Sequence, residues 1–365
     1  MKNKKTVLIL TDSRGASGAN AIKAMLSAGG ETLAIIIDKS EFRGIAARYA
    51  KERLLSEDGV VRSNWERFKN KLYERRSEDV REWKLEFKSN NYAHQKMANA
   101  ITRYNPEVII VTAENMLELA LIGRKKANPD AKVVVVPAEY SLNLQYICGE
   151  VDAYLIHNSA TKDELISGGV DAEKVEVVGM PIAPSGMQEH KACVAELGEK
   201  LALDPNKKTV LFLGATNDTG GIAYALEEAM PAKDDYNYIV YCGQDRSLLD
   251  FCKKEKIVAL NEGMDFYNLV NIADFVVTRP ISTNLTASFA QKVVVYLLKA
   301  EGKVEERYAQ NVADAVIDCS VSTTLIAKLT TEPTRDERED LAEGRDKLLE
   351  GVPSELFTHA IQKML

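Results

Sequence analysis

The chain is expected to be an α/β protein made of two Rossmann-like, doubly wound domains that face a cleft. Three observations predict this. Short continuous apolar runs alternate with helical stretches, the pattern of parallel strands buried on both faces and their crossover helices. The alternation lapses once, at Gly179-Met-Pro-Ile-Ala-Pro184-Ser-Gly186, where two prolines and two glycines replace any periodicity, and then restarts. A small-residue turn follows the first strand of each half, at Asp12–Asn20 and again at Gly214–Gly221. The boundaries that follow are 1–186 for the first domain and 187–352 for the second, with a C-terminal helix, 353–365, packing back on the first.

With 365 residues the chain is long enough for two ordinary cores. Its net charge of −7 argues against a nucleic-acid binder. Five cysteines (Cys148, Cys193, Cys242, Cys252, Cys319) include no C-x-x-C pair, and the four histidines are scattered, so no metal site and a reducing, cytoplasmic compartment are expected. The apolar run after the basic start is only Val7 to Leu10, a strand rather than a signal peptide, and no run approaches the ~18 apolar residues of a membrane span.

Taken in order, Thr6–Thr11 is a buried strand. The loop Asp12–Asn20 opens a helix carrying Ile22, Met25 and Leu26, closed by Gly29-Gly30, and Leu33–Ile37 is the next strand, ending at Asp38. Gly15-x-x-Gly18 with Asp38 leaves a dinucleotide site open as one reading and a tight turn that only packs a helix as another. Residues 41–100 are charged and helical, with interleaved aromatics. From Arg62 to Lys88 nine Lys/Arg stand against six Asp/Glu, which suits an anionic membrane surface or, equally, a solvated helix pair. Strands follow at Pro106–Thr112, Lys132–Val136, Val151–Ile156 and Val175–Val178. A helix with Leu117, Leu121 and Ile122 lies between the first two, and a helix Lys162–Ile166 precedes the last.

The second half opens with a helix over 188–202 and the strand Lys208–Leu213, then a second glycine-rich turn. Tyr238–Tyr241 and Ile257–Leu260 are strands. A short helix with Leu269, Val270 and Ile272 leads to a strand with Phe275, Val276 and Val277. Its end, Thr278-Arg279-Pro280, feeds Ser282, Thr283 and Asn284 into a helix start, where unpaired N–H groups and the helix dipole favour an anion. Lys292–Leu298 is another strand, followed by a loop reaching Gln310 and Asn311, and two helices close the chain.

The order of these loops resembles the GT-B glycosyltransferases, above all glycosyltransferase family 28 and the monogalactosyldiacylglycerol-synthase-like enzymes. Four stretches carry the likeness: Val151–Ile182; Thr209–Gly214 with Gly220-Gly221; Val240-Tyr-Cys-Gly243; and Met264–Ala290, which resembles the nucleotide-sugar motif. The resemblance implies a metal-independent transferase with no cofactor. It would move a sugar from a nucleotide-diphosphate donor, a UDP-sugar, to a lipid or other hydroxyl acceptor, and would be cytoplasmic and peripheral on the inner membrane face through 41–100. It implies donor contacts at Gly214, Thr216, Asn217, Gly220, Gly243, Met264, Arg279, Ser282, Thr283 and Asn284, and sugar contacts at Gln310 and Asn311. Candidates for the base that takes the acceptor proton are Glu139, Glu114 and Asp12, all at strand ends. The motif departs from the family at its glycine pair, replaced by Ile281-Ser282, and at its ribose-gripping Glu, replaced by Ala287. A GT-B-like binding protein without transfer, or a nucleotide-sugar hydrolase or epimerase, are therefore the alternatives.

Overall fold

The computed structural model describes residues 4–12, 15–28, 30–41, 85–142, 144–182, 191–214, 220–260, 266–321, 323–350 and 353–365. Most of the basic aromatic segment, 42–84, lies outside them. The chain divides into two units, Met1–Pro184 with Glu350–Leu365, and Ser185–Leu349.

In the first unit, β1 (Lys5–Thr11), β2 (Thr32–Asp38), β3 (Val108–Val111), β4 (Lys132–Val135), β5 (Ala153–Ile156) and β6 (Val175–Val177) form one sheet in the order β2-β1-β3-β4-β5-β6, every pair parallel. Helices α1 (Ala16–Ala28), α2 (Tyr92–Tyr104), α3 (Glu114–Ala127) and α4 (Ser159–Ser167) make its crossovers. Continuous apolar strands are explained by strict parity. Leu8, Leu10, Ile109, Val111, Val133 and Val135 face one buried layer, while Val7, Ile9, Val108, Ile110 and Val134 face the other. The first layer holds Met97, Ile101, Leu117 and Leu121 from α2 and α3. The second holds Ile22, Met25 and Leu26 from α1 together with Phe357, Ala360 and Ile361 from the C-terminal helix, Pro353–Gln362. Lys5 Nζ donates to the Leu365 carbonyl at 2.9 Å beside it.

In the second unit, α5 (Lys191–Lys200) precedes β7 (Lys208–Leu213), α6 (Gly220–Ala229), β8 (Tyr236–Tyr241), α7 (Arg246–Glu255) and β9 (Val258–Leu260). Then come α8 (Phe266–Asn271), β10 (Phe275–Thr278), α9 (Ser282–Ala290), β11 (Val294–Leu298), α10 (Lys303–Asn311) and β12 (Ile317–Cys319). The sheet order is β12-β11-β10-β7-β8-β9, again all parallel. Val210, Phe212, Phe275 and Val277 face one layer; Leu211, Leu213 and Val276 face the other. Two parallel, doubly wound α/β sheets are the fold class the sequence predicted.

The end of the second unit differs from expectation. A sixth strand, β12, and the helix α11 (Thr324–Thr331) precede α12 (Arg335–Leu348), so three helices, counting the C-terminal α13 (Pro353–Gln362), follow the last strand where two were expected. β12 is three residues long, with Ile317 half-buried and Asp318 exposed, too short for an apolar run to announce it.

In each sheet the chain reverses direction beside its first strand, between β1 and β3 and between β7 and β10. These are the switch points outside which such sheets bind ligands, at the carboxyl ends of the strands.

Helix α12 packs its backbone onto the turn at Ala313–Ala315. A Cβ on Gly344 would stand 2.2 Å from the Asp314 carbonyl oxygen. Alanine favours a helix over glycine by about 1 kcal/mol, but overpacking against backbone costs about 1–3 kcal/mol or more. The clash wins, and Gly344→Ala is expected to lower stability by about 2 kcal/mol in chemical denaturation. Gly123→Ala, whose Cβ would meet the flexible Met97 and Ile101 side chains, should cost less.

Candidate functional site

At the first switch point the carboxylate of Asp12 is fully engaged. Its Oδ1 accepts the Gly15 N–H at 3.1 Å and its Oδ2 accepts Asn115 Nδ2 at 2.9 Å. Asp12 thus ties the start of α1 to the start of α3, across the gap where β1 and β3 part. Thr112 Oγ1 donates to Thr11 Oγ1 at 2.8 Å under Gly15, and a Cβ on Gly15 would lie 2.8 Å from both hydroxyls. The second glycine of this turn serves packing: a Cβ on Gly18 would stand 2.5 Å from that of Ala138, so its smallness lets α1 lie on the loop after β4. The other two candidate bases are buried at the same edge. Glu114, 3% exposed, is the first residue of α3, where the helix dipole favours a carboxylate. Glu139, 4% exposed, follows β4.

His157, the residue after β5, was not singled out in the sequence, yet it is 2% exposed on this edge. Its Nε2 lies 3.1 Å from Thr161 Oγ1, the Tyr140 ring meets it edge-on with centroids 5.9 Å apart, and Nδ1 has no hydrogen-bond partner. Burial pulls its pKa down from 6.5 to about 4, so the ring is neutral at pH 7.

The second switch point carries the donor candidates. Arg279 directly follows β10 and Gly214 directly follows β7, the strand paired with it. The aliphatic stem of Arg279 crosses the start of α6: a Cβ on Gly221 would stand 3.0 Å from Arg279 Cδ. Gly221 therefore makes room for the arginine. Helix α9 begins at Ser282, with Ile281 at the N-cap position and no side-chain cap. Asn284 was expected among the donor contacts of this helix start, and its amide bridges two strand ends. Nδ2 donates to Thr278 Oγ1 at 2.9 Å and to the Leu213 carbonyl at 3.3 Å, bridging the ends of β10 and β7. The N-terminal turns of α6 and α9 and one guanidinium thus meet at one strand edge. Gly243, after β8 on the same edge, has φ +52°, the left-handed turn that leads to Asp245 capping α7.

Arg279 is not an open cation. Its side chain is 5% exposed, and Glu301 Oε2 lies 2.6 Å from Nη1 while Glu305 Oε1 lies 3.4 Å from Nη2. Both acids follow β11, and no sequence spacing pointed to them. Gln310 and Asn311, the expected sugar contacts, are the last two residues of α10, about two turns beyond the strand tip that Glu301 occupies. Ala287 is 1% exposed and faces the apolar layer of Leu211, Leu213, Leu269 and Val270. Thr216, Asn217 and Met264 lie outside the described residues. Among the described residues no group of three or more His, Cys, Asp or Glu is arranged to hold a metal.

The two parallel, doubly wound sheets have the GT-B architecture, and the solved structures agree in fold. A glycosyltransferase from Rickettsia africae ESF-5 superposes with a TM-score of 0.58 at 15% identity, covering 99% of this chain and 98% of that one. UDP-GlcNAc 2-epimerase from Neisseria meningitidis, in a structure bound to UDP-GlcNAc, gives 0.62 at 12% identity, with 98% and 100% covered. The sequence profile of monogalactosyldiacylglycerol (MGDG) synthase matches residues 17–182, most of the first unit, and so bears out the resemblance in the half that holds Val151–Ile182. The processive diacylglycerol beta-glucosyltransferase of Bacillus subtilis (strain 168) is 24% identical over 229 residues, 60% of this chain and 57% of that protein. The chain thus spans little more than half the length of that relative.

The neutral, buried His157 makes stability depend on pH. The unfolded chain takes up a proton near pH 6.5 that the folded chain refuses until about pH 4. This contribution is fully present above pH 6.5 and is lost as the pH falls toward 4, in total about 3 kcal/mol. Denaturation at pH 7 and pH 4.5 is expected to show that loss in the wild type and a flatter profile in His157→Gln.

Proposed function

We propose that the chain is a metal-independent glycosyltransferase that moves a hexosyl group from a UDP-sugar to a lipid hydroxyl. The observation that carries this reading is the meeting of Arg279 with the N-terminal turns of α6 and α9 at the β7/β10 switch point, in a chain whose first unit matches MGDG synthase. In this reading the second unit holds the donor. The N–H groups of both helix starts, with Arg279, stabilise the diphosphate as the bond from the sugar's anomeric carbon to phosphate oxygen breaks. The first unit presents the acceptor hydroxyl, whose oxygen forms the new bond to that carbon and whose proton passes to a carboxylate. Glu139, buried just beyond the end of β4, is the preferred base, with Glu114 and Asp12 at the same strand edge as the alternatives.

A diacylglycerol-type acceptor follows from the likeness to the Bacillus subtilis enzyme, and an anionic membrane surface reached through 41–100 would supply it. Among the described residues no helix is long and apolar enough to cross a membrane, so a peripheral association is proposed. Ala287 and the paired state of Arg279 favour a second reading, a GT-B-like protein that binds a partner or nucleotide without transfer.

Thermal-shift measurements with UDP, GDP, CMP and NAD separate the readings, since a ligand at 100 times its Kd stabilises by about 2.7 kcal/mol. UDP is expected to raise the melting temperature. Glu139→Gln should keep that shift and lose transfer from UDP-glucose to diacylglycerol in vesicles. Stabilisation by NAD alone would remove the donor assignment, and turnover surviving in Glu139→Gln would remove the base.

A further inference from the structure

The two acids on Arg279 are not equivalent. Glu305 is 18% exposed, and its second oxygen accepts the Glu301 N–H at 2.8 Å, so it is fixed into the first turn of α10. Glu301 is 56% exposed and lies outside the helix. Beside it stands Gly302, whose φ of +92° makes this a turn with no side chain to brace it. An exposed carboxylate on such a turn exchanges its partner for water at small cost; a half-buried, doubly bonded one exchanges less readily. One guanidinium and two carboxylates also sum to a charge of −1. An incoming diphosphate therefore meets two carboxylates beside the helix N-termini, and is opposed less if one of them leaves.

We propose that Glu301 is the exchangeable counter-ion of this anion site. It neutralises Arg279 while the site is empty, and a nucleoside diphosphate displaces it from Nη1, while Glu305 keeps the arginine in place through Nη2. Affinity for the diphosphate is then set by competition with Glu301, which makes this residue a determinant of donor binding although it makes no contact with the bound donor. The inference rests on the donor reading above.

The test is calorimetric titration of the full chain with UDP and, separately, with inorganic pyrophosphate, which isolates charge from base and ribose recognition. Glu301→Gln is expected to tighten both by about tenfold. Glu343→Gln, which removes the same charge from the exposed face of α12, should stay within about twofold of wild type. If wild type binds and Glu301→Gln binds equally or more weakly, the counter-ion assignment is wrong and the donor reading stands. If neither protein binds UDP or pyrophosphate, the donor reading falls and this inference with it.

Discussion

The parallel pairing of β7 with β10 is the constraint on which the second unit's chemistry depends. Register runs from Val210 opposite Phe275 to Leu213 opposite Thr278, and it makes Gly214 and Arg279 neighbours although a long stretch of chain separates them. Three features hold that register. At the amino end the Thr209 N–H donates to Asp274 Oδ2 at 2.7 Å. At the carboxyl end the Asn284 amide spans Leu213 and Thr278. Between them, parity assigns Phe275 and Val277 to one apolar layer and Val276 to the other, so a one-residue slip would turn every side chain to the wrong face. With the strands locked, Arg279 has to lie across the first turn of α6, and glycine at 221 follows from that.

The first unit repeats the scheme with different chemistry. The Thr6 N–H donates to Glu107 Oε2 at 2.7 Å at the amino end of β1, and Asp12 closes the carboxyl end through Gly15 and Asn115. In both units a carboxylate just ahead of the neighbouring strand satisfies the amino edge, and an amide or acid bridges the switch point. What then differs is the ligand edge. The first unit offers Glu114, Glu139 and a neutral His157; the second offers helix N-termini and a guanidinium. The group transfer proposed above would use this division, since proton acceptance and anion stabilisation need opposite electrostatics.

The strands were legible because parallel strands covered on both faces are continuous apolar words, and the strand ends followed from them. Gly214, Gly220, Arg279 and Asn284 could be named in advance because each stands at the end of a strand or the start of a helix. Their roles were less legible. Asn284 has the residue type of a cap, but Ile281 takes the N-cap position, and an amide at the third helical position is better placed to bridge two strand ends. Gln310 and Asn311, expected in a loop, end a helix instead, because α10 starts at Lys303, straight after the glycine. Glu301, Glu305 and His157 had no signal, because ion pairs across a strand edge and burial after a short strand follow no spacing rule.

The substitution at Ala287 then takes on a different meaning from a simple loss. Its methyl group belongs to the layer formed by Leu211, Leu213, Leu269 and Val270, so a glutamate there would carry its charge into or past apolar surface. The carboxylates present here come instead from the turn after β11 and the start of α10, where the guanidinium compensates them. Burying the arginine without them would leave an unpaired charge. The three residues are therefore a unit, and the attraction left for an anion in the resting site comes from the unpaired N–H groups and dipoles of α6 and α9, each worth about half a charge. If the site takes a diphosphate as proposed, its own acids have to yield, and the control of donor binding then lies in the turn after β11 rather than in the helix where the resembling family carries its glutamate.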